Sequence, residues 1–333
     1  MELAEMQALE RVLELGQQHL QVQCLRRVDD GTGQTYPLYG IALGSTDPEA
    51  PAAGYFGGVH GLERIGAEVV ISFLHTIVMR LQWDSSLHRQ LEHVRLLFMP
   101  IVNPGGMALG TRANPRGVDL MRNAPVQAVA DVPWLLGGQL RSPYLPWYRG
   151  EPGAPMEAEN QVLCEWVARE MLSRPFSVAL DCHSGFGMRD RIWFPFAHTR
   201  QPMAHLAEMV ALRNVFFQTY SHHQYIFEPQ SLQYLTHGDV WDYLYLQALE
   251  RAVVFLPLTL EMGSWLWIKK NPRQLFSRHG IFNPLIAHRQ QRVLRRHQSL
   301  LDFVGRAAAG QALWRPSPQA RAALHDEALA QWY

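Results

Sequence analysis

Four apolar, strand-like runs in this chain close on polar residues, and the stretches between them carry helical periodicity. The runs end at or near His60, Asn103, His183 and Glu261. Strands that alternate with helices argue for a layered α/β fold: a single domain whose central sheet is mixed, mostly parallel and flanked by helices. In such sheets ligands bind in the loops beyond the carboxyl ends of the strands. Four polar groups at four strand ends therefore read as one shared site.

The pass along the chain fills in the rest. Residues 2–20 read as a helix, with Leu3, Met6, Leu9, Val12, Leu13 and Leu20 roughly on one face. Strand-like runs follow at 20–28 and 36–44, joined by the turn Asp29-Asp30-Gly31-Thr32-Gly33. Residues 54–59 form a Gly-rich apolar run ahead of His60, and 65–81 have helical spacing. The strand 94–102 ends at Asn103-Pro104-Gly105-Gly106. Residues 125–155, rich in Pro, Gly and aromatics, read as a long surface excursion. Helices are expected at 156–172, 204–217 and 239–249, and strands at 176–182 and 252–260. Residues 281–309 read as a basic amphipathic helix, with Arg289, Arg292, Arg295 and Arg296 on a solvated face. With no repeat and no Gly/Ser linker, residues 1–310 form one domain, and 311–333 an ill-packed or partner-bound tail.

Composition narrows the partners. The 333 residues are 47% apolar, enough for a large core. Thirty basic residues balance thirty acidic ones, so nothing points to nucleic acid or a membrane surface. The most apolar stretches, 67–79 and 252–260, are too short to span a bilayer. The N-terminus has no basic region followed by an apolar one. Cys24, Cys164 and Cys182 are odd in number, scattered and without a C-x-x-C. The expectation is a cytoplasmic protein with reduced thiols. His222-His223 reads as surface.

His60 and Glu63, three apart at a strand-to-helix junction, can turn an imidazole and a carboxylate toward one point. Such a pair also arises by chance, and its meaning depends on what lies downstream. His183, in Asp181-Cys182-His183-Ser184-Gly185, is the natural third ligand. Two His and one Glu suit zinc better than magnesium or calcium, which prefer oxygen shells. Glu261, closing a very apolar strand, either caps or pairs locally, or serves as the base that a zinc-activated water needs. Arg112, Asp119 and Arg122 follow the Asn103 loop. Arginine forks bind carboxylates and polarise carbonyls, and Asp119 is placed to accept from a ligand imidazole. The segment from Tyr234 to Tyr245 is either a packed loop and helix or the carrier of a mobile tyrosine.

Taken in order, these pieces resemble the zinc carboxypeptidase family, the carboxypeptidase A-like metallopeptidases, from about Tyr36 to Trp265. The family's H-x-x-E matches His60 and Glu63, and its later zinc histidine His183. Its N-P-x-G turn matches Asn103-Pro104-Gly105-Gly106. Its G-V-D-x-N-R-N segment matches Gly117-Val118-Asp119-Leu120-Met121-Arg122-Asn123, and its tyrosine segment matches Tyr234, Gly238, Asp242, Tyr243 and Tyr245. The resemblance implies one zinc per chain on His60, Glu63 and His183, with Glu261 as general base and acid. It implies that Arg112 stabilises the oxyanion and that Asp119 accepts behind His60. Arg122, with Asn123 beside it, would grip a substrate carboxylate, and Tyr234 would close down on it.

Two departures bear on specificity. The family's asparagine beside the carboxylate-binding arginine is Met121, which removes a donor worth about 1–3 kcal/mol to a charged acceptor. The arginine often found inside H-x-x-E is Leu62. In a gap-free match Trp241 falls where the family tunes its side-chain pocket, which favours a shallow apolar pocket. The leading expectation is a zinc hydrolase that cleaves an amide bond of a short peptide or acylated amino acid with a free carboxylate. A second reading keeps the metal and changes the substrate: an N-acyl amino acid deacylase resembling aspartoacylase or succinylglutamate desuccinylase, or a muropeptide amidase. A third, a non-catalytic binding protein on the same scaffold, needs a lost ligand or base, and the sequence shows neither.

Overall fold

The computed structural model describes residues 3–185 and 187–333. One sheet of eight strands organises it: β1 (Gln21–Asp29), β2 (Thr35–Gly44), β3 (Ala52–Gly57), β4 (Arg95–Met99), β5 (Phe176–Gly185), β6 (Arg191–Phe194), β7 (Ile226–Pro229) and β8 (Val254–Gly263). Their order across the sheet is β1-β2-β4-β3-β5-β8-β6-β7. The four central strands β4, β3, β5 and β8 run parallel, so their carboxyl ends share one rim. β1–β2 and β2–β4 pair antiparallel on one flank; on the other, β6 runs antiparallel to β8 and β7 parallel to β6.

Burial explains the composition of the centre. β3, β4 and β5 are buried along their whole length, which is why they read as continuous apolar runs instead of alternating ones. Tyr55 stacks on Phe98 with centroids 4.9 Å apart and tilts against Phe73 at 5.0 Å. Its hydroxyl donates to the Leu301 carbonyl at 2.9 Å, tying the helix Ala287–Ala309 to the sheet. Two glycines fix the turn that carries His60. A Cβ on Gly61 would lie 2.1 Å from the Gly106 carbonyl carbon, and one on Gly66 2.0 Å from the Cys182 carbonyl oxygen. Only glycine lets this turn and the helix Arg64–Arg80 come so close to the neighbouring backbone.

Several elements differ from the sequence expectation. β5 and β8 each run three residues further, so His183 and Glu261 lie inside strands. The two ends pair with one another, His183 opposite Glu261 and Gly185 opposite Gly263, and this mutual pairing satisfies backbone groups that neither run reveals alone. β6 and β7, four residues each, carry no readable period. Residues 311–333 do not form a loose tail: a helix, Pro318–Trp332, packs on the helix Leu206–Thr219. Only Ala328 and Trp332 of that helix are buried, too sparse a stripe for periodicity to reveal. Arg321 pairs with Glu208, and the Trp332 indole donates to the Phe227 carbonyl at 3.1 Å. The basic helix starts at Ala287, not 281, because Pro284 interrupts it. No single helix among the described residues is long and apolar enough to cross a membrane.

Candidate metal centre

His60 lies in the turn after β3, Glu63 at the entrance of the helix Arg64–Arg80, and His183 near the end of β5. One donor atom from each falls within 4.8 Å of the other two, and all three side chains are buried. Asn283 clamps the turn: its Oδ1 accepts from the Ile65 amide at 2.9 Å, and its Nδ2 donates to the Leu62 carbonyl at 2.8 Å. It lies some 220 residues away in sequence, and no motif announces it.

The donor set is prepared electrostatically. Burial, reinforced by Arg112, pushes the His60 imidazole well below its ordinary pKa. Its Nδ1 is buried without a hydrogen-bond partner among the described residues. Burial opposes charge on Glu63, but His60, His183 and Arg112 still hold its carboxyl below the usual range. Glu63 Oε2 accepts from the Ser184 amide at 3.0 Å and lies 3.1 Å from His183 Nδ1. On the other side of that ring, Nε2 is 2.6 Å from Asp181 Oδ2. Burial alone would depress His183, but Asp181 and Glu63 lift it well above an ordinary imidazole. A ligand imidazole backed by a carboxylate is fixed in orientation and made more basic. Two imidazoles and a carboxylate, tightly grouped and each held from behind, fit a zinc ion.

A cleft of about 330 Å³ opens over these donors and includes Arg112, Met121, Arg122, Tyr234 and Glu261. Glu261 faces it from β8, directly across from His183. Burial and the neighbouring Glu63 charge raise its pKa to about 8. Arg112 spans two carboxylates, with Nη1 donating to Glu63 at 3.2 Å and Nε to Asp119 at 2.8 Å. Asp119 Oδ1 is 3.8 Å from His60 Nδ1, beside the ring but beyond hydrogen-bond reach. Arg122 is buried, is braced by the Leu136 and Met121 carbonyls at 3.2 and 3.1 Å, and forms no ion pair among the described residues. Tyr234 stands edge-on to Trp193, with centroids 6.5 Å apart.

Two residues expected on the cleft wall lie behind it. Asn123 donates to the Arg149 carbonyl at 2.8 Å and accepts from the Glu157 amide at 2.6 Å, so it pins the following loop. Trp241 is buried and packs edge-on against Phe56 at 4.9 Å; its indole N–H donates to Asp181 Oδ2 at 2.8 Å. The reason is local. Asp239 caps the helix Val240–Glu250 and accepts from the Trp241 amide, and this entry turn swings the indole inward to β5. The expected apolar pocket wall is thus a support for Asp181. Asp181 was legible in principle, since residues two apart on a strand share a face.

An α/β sheet with a His-Glu-His set at the rim of its parallel strands, and a half-buried carboxylate facing that set, defines a metallohydrolase of the zinc type. The zinc carboxypeptidase family's sequence profile matches residues 30–256, and the chain belongs to that family. Carboxypeptidase SOL1 of Arabidopsis thaliana is 34% identical over 95 residues, covering 28% of this chain and 19% of that protein's length. Among solved structures, carboxypeptidase A from Helicoverpa armigera superposes with a TM-score of 0.65 at 16% identity, over 92% of this chain and 72% of that one. Bovine thrombin-activatable fibrinolysis inhibitor, solved with a tick carboxypeptidase inhibitor, gives 0.60 at 17% identity, over 96% and 95%.

Proposed function

We propose that the protein hydrolyses an amide bond in a short peptide or acylated amino acid that carries a free carboxylate. The observation that supports this most is the strand register that sets Glu261 opposite His183, in one cleft with Arg122, which forms no ion pair among the described residues. His60, Glu63 and His183 would hold one zinc ion, which when bound supplies Lewis acidity to water and to a carbonyl oxygen. Glu261 takes a proton from the attacking water and returns it to the departing amine nitrogen. Arg112 donates toward the oxygen on which negative charge develops. Arg122 holds the free carboxylate in a charge-assisted pair, and Tyr234 covers the substrate from the cleft edge.

Met121 lines the cleft beside Arg122 and offers that carboxylate no hydrogen bond. This favours keeping N-acyl amino acids and muropeptides among the candidate substrates next to C-terminal peptides. A cytoplasmic location belongs to the same proposal, supported by three free thiols of which two are buried. The test is turnover by the zinc-loaded protein on a panel of C-terminal peptides, N-acyl amino acids and muropeptides. Chelation should abolish hydrolysis of the accepted class, and stoichiometric zinc should restore it. Absence of hydrolysis across the panel, with zinc bound, would remove the hydrolase reading.

A further inference from the structure

The cleft has a second basic wall, built by strands that the sequence does not reveal. β6 runs antiparallel to β8 and sets Arg191 opposite Glu261 and Trp193 opposite Thr259. Directly opposed residues share a face of the sheet, and all four line the cleft. β7 brings Glu228 opposite Trp193. Glu228 accepts from Arg191, from the Trp193 indole at 3.2 Å and from Gln233 Nε2 at 2.9 Å. It is not itself part of the cleft lining, so it anchors this group of donors from behind.

What remains toward the cleft are donors. Arg191 keeps guanidinium nitrogens beyond the one given to Glu228, and Arg189 forms no ion pair among the described residues. Among the described residues the only carboxylates lining the cleft are Glu63 and Glu261, one a metal donor and the other the base. A basic side chain here would meet like charge from Arg191, and an apolar one would cover a guanidinium without satisfying it. A carboxylate would gain charge-assisted, forked hydrogen bonds.

We propose that this wall is a subsite for a second substrate carboxylate, so that the amine released is a dicarboxylic amino acid. Arg122 takes one carboxylate and Arg191, aided by Arg189, the other. The proposal rests on the hydrolase reading of the same cleft.

The test is equilibrium binding of N-acetyl-alanyl-glutamate, -leucine and -lysine to the zinc-loaded Glu261→Gln protein. The glutamate ligand should bind about tenfold or more tightly than the leucine ligand, the scale of a charge-assisted contact, and the lysine ligand should bind weakest. Arg191→Gln should collapse the glutamate-over-leucine ratio to about threefold or less. Arg191→Lys, which keeps the charge and the pairing with Glu228, should retain part of it; thermal melting reports whether either variant still folds. Equal binding of the glutamate and leucine ligands, a preference for lysine, no binding by any of the three, or a ratio that survives in a folded Arg191→Gln protein would overturn the subsite. Wild-type hydrolysis of the same three ligands separates the two readings. Cleavage without a glutamate preference removes the subsite and leaves the hydrolase, whereas bound zinc with no cleavage of these or the wider panel removes the hydrolase.

Discussion

Glu261→Gln should lower turnover about 10²- to 10⁴-fold while one zinc per chain remains, the range a positioned general base contributes. Glutamine has the same shape, so it disturbs neither the β5–β8 ladder nor the three metal donors. It cannot accept the proton of the attacking water. The position of this carboxylate is set by the backbone: a Cβ on Gly185 would lie 2.0 Å from Glu261 Oε1, so the absence of a side chain there makes room for it. Burial and the Glu63 charge raise its pKa to about 8, and a bound dication would favour the ionised form again. The check is kcat together with metal content. Turnover within about threefold of wild type would place the proton transfer on another group, and loss of zinc would make Glu261 a metal support.

Trp241→Phe should weaken zinc binding about 10- to 100-fold, the usual cost of losing a partner behind a ligand. The indole N–H and His183 Nε2 converge on the same oxygen, Asp181 Oδ2, at 2.8 and 2.6 Å. Asp181 is fully buried, and its Oδ1 has no hydrogen-bond partner among the described residues. Removing the indole N–H leaves a buried carboxylate whose one remaining side-chain hydrogen-bond partner among the described residues is the imidazole it must orient. Phenylalanine retains an aromatic ring against Phe56, so packing changes little. Asp181→Asn should move zinc affinity in the same direction, and the double variant should lose less than the sum, because both residues act through one contact. Competition against a calibrated chelator measures this. An unchanged zinc affinity in a stable Trp241→Phe protein would reduce the indole to core packing.

Most of the centre was legible because it sits at strand ends, where an apolar run stopping on a polar residue is visible in one dimension. His60, Glu63, His183 and Glu261 converge for that reason, and Arg112, Arg122 and Tyr234 join them on the cleft. The less legible part depends on how elements pair. Trp241 has the spacing of a pocket residue, but the turn capped by Asp239 points it at Asp181. Asn123 neighbours Arg122 in sequence, yet its amide is spent on the Arg149 and Glu157 backbone. Arg191, Trp193 and Glu228 lie on four-residue strands whose place in the sheet comes from pairing, β6 with β8 and β7 with β6, not from their own pattern. Asn283 reaches the metal turn only through the packing of a distant loop. The C-terminal helix is held by the Trp332 indole and by the ion pairs Arg321–Glu208 and Arg213–Glu327, a signal no periodicity count detects.

The central claim is that His60, Glu63 and His183 together hold the metal. Calorimetric titration of the metal-free protein with zinc tests it most directly. Wild type should show one site per chain, and His60→Ala and His183→Ala should each abolish tight binding while the proteins remain folded. Full-strength zinc binding in either variant, or no site in wild type, would contradict it.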